Sequence, residues 1–211
     1  MVRVGIEAMN VFGGSAVLDV MGLARHRGLD LPRMENLLMR EKAVALPFED
    51  PVTFGANAAK PLLDRLDPEE RDRVELLITC TESGIDFSKS VSTYLHDVLG
   101  LSRNCRMFEL KQACYAGTAG LQMAVNFVLS QTSPGAKALV VATDISRYVL
   151  EEGRDVAEQD WSYAEPSGGA GAVAMLVSDV PHVFQVDVGA SGSWTRAVPR
   201  RTASRGTSTS R

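Results

Sequence analysis

Apolar positions along this chain alternate between short runs of branched residues and longer stretches at helical spacing. That alternation predicts an α/β layered fold around a largely buried sheet. Residues 2–9 form the first strand candidate, and 15–25 carry Val17, Leu18, Val20, Met21 and Ala24 at helical spacing. A second helix is expected over 31–40. Residues 48–55 are expected to be a loop entering a helix from about Asn57 to Leu66, with Asp67-Pro68 starting another turn. The run Val74-Glu75-Leu76-Leu77-Ile78-Thr79 predicts a buried strand, residues 88–99 a helix, 106–110 a short strand, and 119–129 an apolar helix ending near Pro134-Gly135. Residues 137–142 predict a third buried strand. The pair 171–177 and 183–188, separated by Asp179-Val180-Pro181-His182, is expected to form a hairpin. From Ala190 onward the pattern stops, and Ser, Thr, Arg and Gly dominate.

Composition narrows the class. With 45% hydrophobic and 23% charged residues in 211, the chain reads as a soluble globular protein of one large domain or two small ones. No apolar stretch reaches membrane-spanning length, and the first residues open directly into a strand pattern, so neither a membrane partner nor a signal peptide is expected and the expected address is cytoplasmic. Cys80, Cys105 and Cys114 lack CxxC spacing, and His26, His96 and His182 are scattered, which argues against a disulfide framework and against a metal site. The net charge of −4 hides an asymmetry. Five of the 22 basic residues, Arg196, Arg200, Arg201, Arg205 and Arg211, follow the last acid, Asp187, so the body before them carries −9. A basic tail without aromatic interleaving beyond Trp194, on a body with no basic face, does not predict nucleic-acid binding.

The candidate chemistry lies at the ends of two predicted strands. Cys114, in Lys111-Gln112-Ala113-Cys114-Tyr115-Ala116-Gly117-Thr118, stands where the 106–110 strand hands over to a helix. The first-turn N–H groups of that helix are expected near the sulfur, where they would favour the nucleophilic thiolate. Most free cysteines are instead small buried hydrophobes, and position alone leaves that alternative open. Glu82 follows the 74–79 strand in the same way, either as a solvated loop or helix-cap residue or as a functional carboxylate. In open α/β sheets this edge is where ligands bind. A carboxyl beside a reactive thiol suits acyl chemistry, because the thiol can hold an acyl group while the carboxyl moves protons during carbon–carbon bond formation.

Four ordered motifs carry a resemblance. Thr79-Cys80-Thr81-Glu82-Ser83-Gly84-Ile85-Asp86, Gln112-Ala113-Cys114-Tyr115-Ala116-Gly117-Thr118, Ala142-Thr143-Asp144-Ile145-Ser146-Arg147-Tyr148 and Glu165-Pro166-Ser167-Gly168-Gly169-Ala170-Gly171-Ala172-Val173-Ala174 resemble, in that order, the N-terminal half of 3-hydroxy-3-methylglutaryl-CoA synthase. Residues 36–55 are similar to the acyl-carrier-protein-dependent branch of that family, which installs β-branches in bacterial polyketides. The resemblance covers residues 2–189. It implies a thiolase-like fold of two similar α/β halves that stack in layers, of which this chain carries the first as a layered mixed sheet flanked by helices, and a homodimer for the full-length family. By resemblance Cys114 takes an acetyl group from a thioester. Glu82 removes a proton from the acetyl methyl, so that the carbon attacks the β-ketone of an acceptor thioester, and hydrolysis releases the product. Tyr115, Asp144, Tyr148 and Ser167 match positions that line or support the pocket, or else serve packing and turns. No cofactor is implied beyond the CoA or phosphopantetheine arm that carries the substrates, and the implied partners are acyl carrier proteins or acyl-CoA.

The resemblance also implies a histidine in the second half that polarises the acceptor carbonyl. His26, His96 and His182 fall outside the motifs and do not match it. Residues 190–211 are expected to be a disordered tail, with the bias of a GC-rich gene read out of frame; one back-translation in the next frame resembles the family's acidic continuation. Two further readings compete with the acyltransferase. One is a truncated, non-catalytic fragment that only binds or accepts acyl groups. The other is a ketoacyl-synthase relative, against which Thr81-Glu82-Ser83 and Glu165-Pro166-Ser167 speak.

Overall fold

The structure is a computed structural model that describes residues 2–146 and 165–190. Its centre is a six-stranded mixed sheet ordered β5-β4-β6-β7-β1-β8. The strands are β1 (Gly5–Phe12), β4 (Val74–Cys80), β5 (Arg106–Leu110), β6 (Lys137–Ile145), β7 (Ala170–Ser178) and β8 (Phe184–Gln185). β4 runs parallel to both β5 and β6, whereas β7 is antiparallel to β6 and to β1. β4, with Val74, Leu76, Leu77, Ile78 and Cys80 all buried, has the continuous apolar run of a strand covered on both faces.

Helices supply those covers. On one face, Leu77 of β4, Leu139 and Val141 of β6 and Leu176 of β7 meet α3 (Pro51–Leu63) and α5 (Val91–Val98) through Phe54, Ala58, Leu62 and Leu95. On the other, Leu76, Ile78, Cys80 and Val140 meet α6 (Ala116–Ser130) through Ala116, Ala124, Val125 and Val128. Gly120 makes the second contact close: a Cβ there would lie 2.6 Å from Cys80 Sγ. Away from the sheet, the outer face of α6 stays open, with Thr118, Gln122 and Met123 exposed. A small lobe packs to one side, built of β2 (Ala16–Asp19) paired antiparallel with β3 (Glu41–Val44) around α1 (Val20–His26) and α2 (Leu31–Glu35).

Four local expectations give way to the observed elements. The helix over 15–25 is instead β2 followed by α1, because Asp19 caps α1 from within that stretch by accepting from the Gly22 amide, while 16–19 pairs with 41–44. The expected helix over 31–40 ends at Glu35, and the chain turns at Leu38, with φ of 55°, before entering β3. α3 begins six residues earlier than expected, at Pro51 rather than Asn57. Asp50 accepts from Thr53 N at 2.7 Å and Thr53 Oγ1 at 2.8 Å, and a proline at the first helical position completes the start. The hairpin of 171–177 with 183–188 does not form: β7 already has a partner on each edge, so β8 pairs with β1 at Gly5 and Ile6. Residues 191–211, which include nearly all of the expected tail, lie outside the described residues.

One buried charge ties this arrangement together. Lys137, 6% exposed at the start of β6, donates to Glu7 Oε1 and Oε2 at 2.7 and 2.6 Å, and pairs with Glu70 Oε2 at 2.8 Å on α4 (Pro68–Asp72). Burial pushes its ammonium down, but hydrogen bonds and charge from Glu7 and Glu70 outweigh it and raise the pKa above the ordinary 10.5. Replacing Lys137 by Ala strands Glu7 and is expected to cost about 3–5 kcal/mol in urea unfolding. Because the folded pKa is raised, the stabilisation is fully present below the unfolded value near 10.5 and is lost as pH rises through the folded value. Unfolding curves of wild type should therefore converge on those of Lys137→Ala only in strong alkali.

Candidate active site

Two neighbouring parallel strands end in step. Thr79 pairs with Glu109 and Cys80 with Leu110, and Thr81 N continues the ladder by donating to Leu110 O at 3.2 Å. The loops that leave β4 and β5 thus start side by side at the C-terminal edge of the sheet. Glu82 is two residues past β4, Cys114 four residues past β5, and the Cys114 thiol donates to Glu82 Oε1 at 3.6 Å. Both side chains are exposed.

The turn that presents Cys114 is tight. Ala113 adopts φ of 42°, a left-handed conformation that costs a non-glycine residue about 1–3 kcal/mol and is found where surrounding bonds enforce it. Here Tyr115 N donates to Gln112 O at 3.1 Å and Ala116 N to Ala113 O at 3.2 Å. Cys114 stands one residue ahead of Tyr115, the N-cap of α6. The expected helix start beside the sulfur is present, but the amides of Tyr115 and Ala116 serve the turn. Tyr115 is exposed next to the cysteine, and its hydroxyl donates to Gln122 Oε1 at 3.0 Å. The other two cysteines differ: burial, with the charges of Asp144 and Glu109, pushes the Cys80 thiol up to about 11, and burial with Glu75 pushes Cys105 to about 12. Both are buried neutral thiols, and Cys114 alone of the three is exposed.

Asp144, near the end of β6, has an anchoring task that its position among pocket residues did not reveal. Its Oδ1 accepts from Thr81 Oγ1 at 3.0 Å, Glu82 N at 2.7 Å and Ser83 N at 2.9 Å. Ser83 Oγ in turn exchanges hydrogen bonds with Ile145 O at 3.1 Å and Ile145 N at 3.0 Å. The Glu82 loop is thereby stitched to β6. Thr81 and Ser83 were not singled out from sequence; the signal available was the pair of hydroxyls flanking the glutamate. A cleft of about 450 Å³ opens beside this loop, lined by Asp50, Pro51, Glu82, Ser83, Ile85 and Ile145, with Cys114 outside its lining.

Ser167 lies exposed at the same sheet edge, three residues before Ala170, which pairs with Ile145. The turn that carries it is held at Glu165. Arg27 grips this carboxylate through Nε at 3.0 Å and Nη2 at 2.9 Å, and Lys42 Nζ donates to its carbonyl at 2.5 Å. Burial, with Arg27 close by, keeps the Lys42 ammonium below the ordinary lysine value against the opposing charge of Glu165. Arg27 and Lys42 carried no sequence signal of this role. Tyr148 lies outside the described residues.

Asp144→Ala is expected to release the amides of Glu82 and Ser83, speeding their hydrogen exchange at least about ten-fold, since each bond to a charged acceptor contributes roughly 1.5–3 kcal/mol. Asp144→Asn, which keeps an acceptor oxygen, should retain most of the protection. Unchanged exchange in the alanine variant would contradict the anchoring role.

The profile of the family described as hydroxymethylglutaryl-coenzyme A synthase N terminal matches residues 2–181. The chain is 72% identical over 192 residues to the polyketide biosynthesis 3-hydroxy-3-methylglutaryl-ACP synthase PksG of Bacillus subtilis, covering 91% of this chain and 46% of that protein. It is 38% identical over 182 residues to the hydroxymethylglutaryl-CoA synthase of Enterococcus faecalis, covering 86% of this chain and 44% of that one. Among solved structures, the HMG synthase of the curacin biosynthetic pathway in complex with holo donor-ACP superposes with a TM-score of 0.81 at 64% identity, over 89% of this chain and 44% of that chain. The chain spans less than half the length of these relatives. In sequence and in its thiolase-like fold, it belongs to the hydroxymethylglutaryl-CoA synthase family, of which it carries the N-terminal half.

Proposed function

We propose that this chain performs the acyl-capturing half of an acyltransferase that condenses an acetyl thioester with a β-ketoacyl thioester to a 3-hydroxy-3-methylglutaryl-type product in polyketide β-branching. The observation that carries the reading is the exposed thiol of Cys114 set 3.6 Å from the Glu82 carboxylate at one sheet edge. In the first step the Cys114 sulfur attacks the donor carbonyl carbon. The carbonyl–sulfur bond to the carrier breaks, and the carrier leaves as its thiol with the cysteine's proton. Glu82 then takes a proton from the acetyl methyl, the carbon attacks the β-ketone of the acceptor, and the alkoxide is protonated. Water cleaves the remaining thioester and restores Cys114. Tyr115 and Ser167 border the bound acyl group in this reading, Asp144 holds the loop of the base, and Tyr148 is proposed as a further substrate-binding residue.

The donor arm is proposed to be phosphopantetheine on an acyl carrier protein rather than free CoA. Support comes from the 72% identity to the PksG protein, named an HMG-ACP synthase, and from the related curacin enzyme solved with its donor-ACP. No further cofactor is required, since the thioester itself is the activated species, and neither nucleic acid nor membrane enters the reading. No described helix is long and apolar enough to cross a membrane. We place the protein in the cytoplasm and propose a homodimer, as the family resemblance implies. Residues 1–189 form the working unit and 190–211 a tail outside it.

Incubating the 211-residue chain with acetyl-loaded carrier protein or acetyl-CoA should add one acetyl group to Cys114, located by peptide mass mapping and absent in Cys114→Ala. In Glu82→Gln the acetyl group should still load, but deuterium uptake into its methyl group should fall by about 10²–10⁴-fold, the usual contribution of a positioned base. A chain that stays unacetylated on Cys114 with both donors would overturn the proposal and leave a fragment that at most binds a partner.

A further inference from the structure

Glu109 is the fourth residue of β5, half-buried and paired across the parallel ladder with Thr79. Its Oε2 accepts from Val91 N at 2.7 Å, at the first residue of α5. That helix lacks a cap of its own. Ser90 is its N-cap but makes no capping bond, its hydroxyl being shared with Ser92 Oγ at 2.6 Å and Thr93 Oγ1 at 3.2 Å. A carboxylate from another element therefore satisfies the orphan amide and complements the positive end of the helix.

The other oxygen faces the Glu82 loop. A Cβ on Gly84 would lie 3.5 Å from Glu109 Oε1, at ordinary contact distance, and 2.7 Å from the flexible end of Lys111, so the loop runs close beside β5. The loop from Thr81 to Ser90 thus hangs between two carboxylates. Asp144 holds its beginning, from β6, and Glu109 holds its end, from β5. Between them Asp86 closes a turn on Ser88 N at 2.7 Å and Lys89 N at 2.9 Å. The second anchor lies on the same strand that, five residues on, delivers Cys114.

From this arrangement we infer that Glu109 is a positioning residue that sets the separation of Cys114 from Glu82, by tying the far end of the Glu82 loop to the strand that presents the cysteine. It touches no reacting atom. The inference rests on the acyl-transfer reading for its catalytic meaning, but its geometry can be tested without acyl transfer.

The probe is iodoacetamide alkylation of Cys114 in the full chain. Replacing Glu82 by Gln should change the alkylation rate at least about three-fold in the wild-type background, because the carboxylate lies within hydrogen-bonding reach of the thiol. In the Glu109→Ala background the same replacement should have little effect. Glu109→Gln, whose amide oxygen can still accept from Val91, should retain most of the coupling. A role confined to capping α5 is separated by Ser90→Asp in the Glu109→Ala background, which supplies a local cap. That double variant should recover thermal stability, which keeps the test open if Glu109→Ala unfolds, and should not recover the coupling. In the same variant, methyl deuterium exchange of the acetylated enzyme should drop by about ten-fold or more while Cys114 acetylation stays within about two-fold, as expected for a displaced base. An equal Glu82→Gln effect in both backgrounds, no effect in either, or coupling restored by Ser90→Asp overturns the inference. If acetyl loading fails while the coupling is found, the acyl-transfer reading falls and the positioning geometry stands.

Discussion

One carboxylate oxygen, Asp144 Oδ1, accepts three hydrogen bonds from consecutive residues of a loop that starts on the adjacent strand. A carboxylate that accepts from amides and a hydroxyl forms stronger bonds than a neutral acceptor would, and bonds that share one charge tend to make or break together. The position of Glu82 therefore depends on β6 as much as on β4, from which its loop emerges. Because β6 runs parallel to β4 and continues three residues beyond Ala142, the partner of Cys80, Asp144 comes level with residues 81–83. The polar site and the apolar core are thus one construction: Leu77, Ile78, Leu139 and Val140 hold the two strands in register, and the register places the anchor.

The small residues of α6 act on the same geometry from the other side. Ala116, Gly120 and Ala124 let the helix lie against β4 and β6, so that Cys80 Sγ occupies the space a Cβ at residue 120 would need. A bulkier helix face would lift α6 from the sheet and carry with it the turn that presents Cys114, since Ala116 N bonds to Ala113 O within that turn. The strained Ala113 is held by the same bonds. Its cost is tolerable because the 15-residue helix on one side and the strand on the other both fix its direction.

How much of this was visible in the sequence depends on the range of the interactions that decide it. β4 and β6 were nearly legible because buried parallel strands announce themselves by local composition, and the half-exposed edge strand β5 was legible to the residue. The placement of Cys114 and Glu82 at one sheet edge was legible because each follows a predicted strand within four residues. The first 45 residues were not, because 16–19 pairs with 41–44 across an intervening pair of helices, and the local spacing of Val17, Val20, Met21 and Ala24 mimics one longer helix. The same limit hid the partners of the site. Asp144 bonds to residues more than 60 positions away, and Arg27 grips Glu165 from 138 positions away. The β8 pairing was misread because strand order, not proximity in sequence, decides which edge is free.

The surfaces of the described fold bear on the chemistry proposed for it. One face of the sheet is sealed by α3 and α5, whereas the other is covered by α6, whose outer side remains exposed at Thr118, Gln122 and Met123. The proposed capture of an acyl group calls for a thiol, a carboxylate and a rigid edge to hold them, and Cys114 and Glu82 stand on one edge of this sheet. Condensation asks for more. In the proposed reaction the alkoxide developing on the acceptor would call for a preorganised donor, and losing one such donor typically costs about 2.7–4 kcal/mol of transition-state stabilisation. None of the three histidines meets that need: His26 and His96 fall on α1 and α5, with His96 Nε2 bonded to Ser102 O at 3.0 Å, and His182 precedes β8 at the far edge of the sheet. In the proposed reaction the candidate nucleophile and base thus share one sheet edge, while the three histidines lie on other elements.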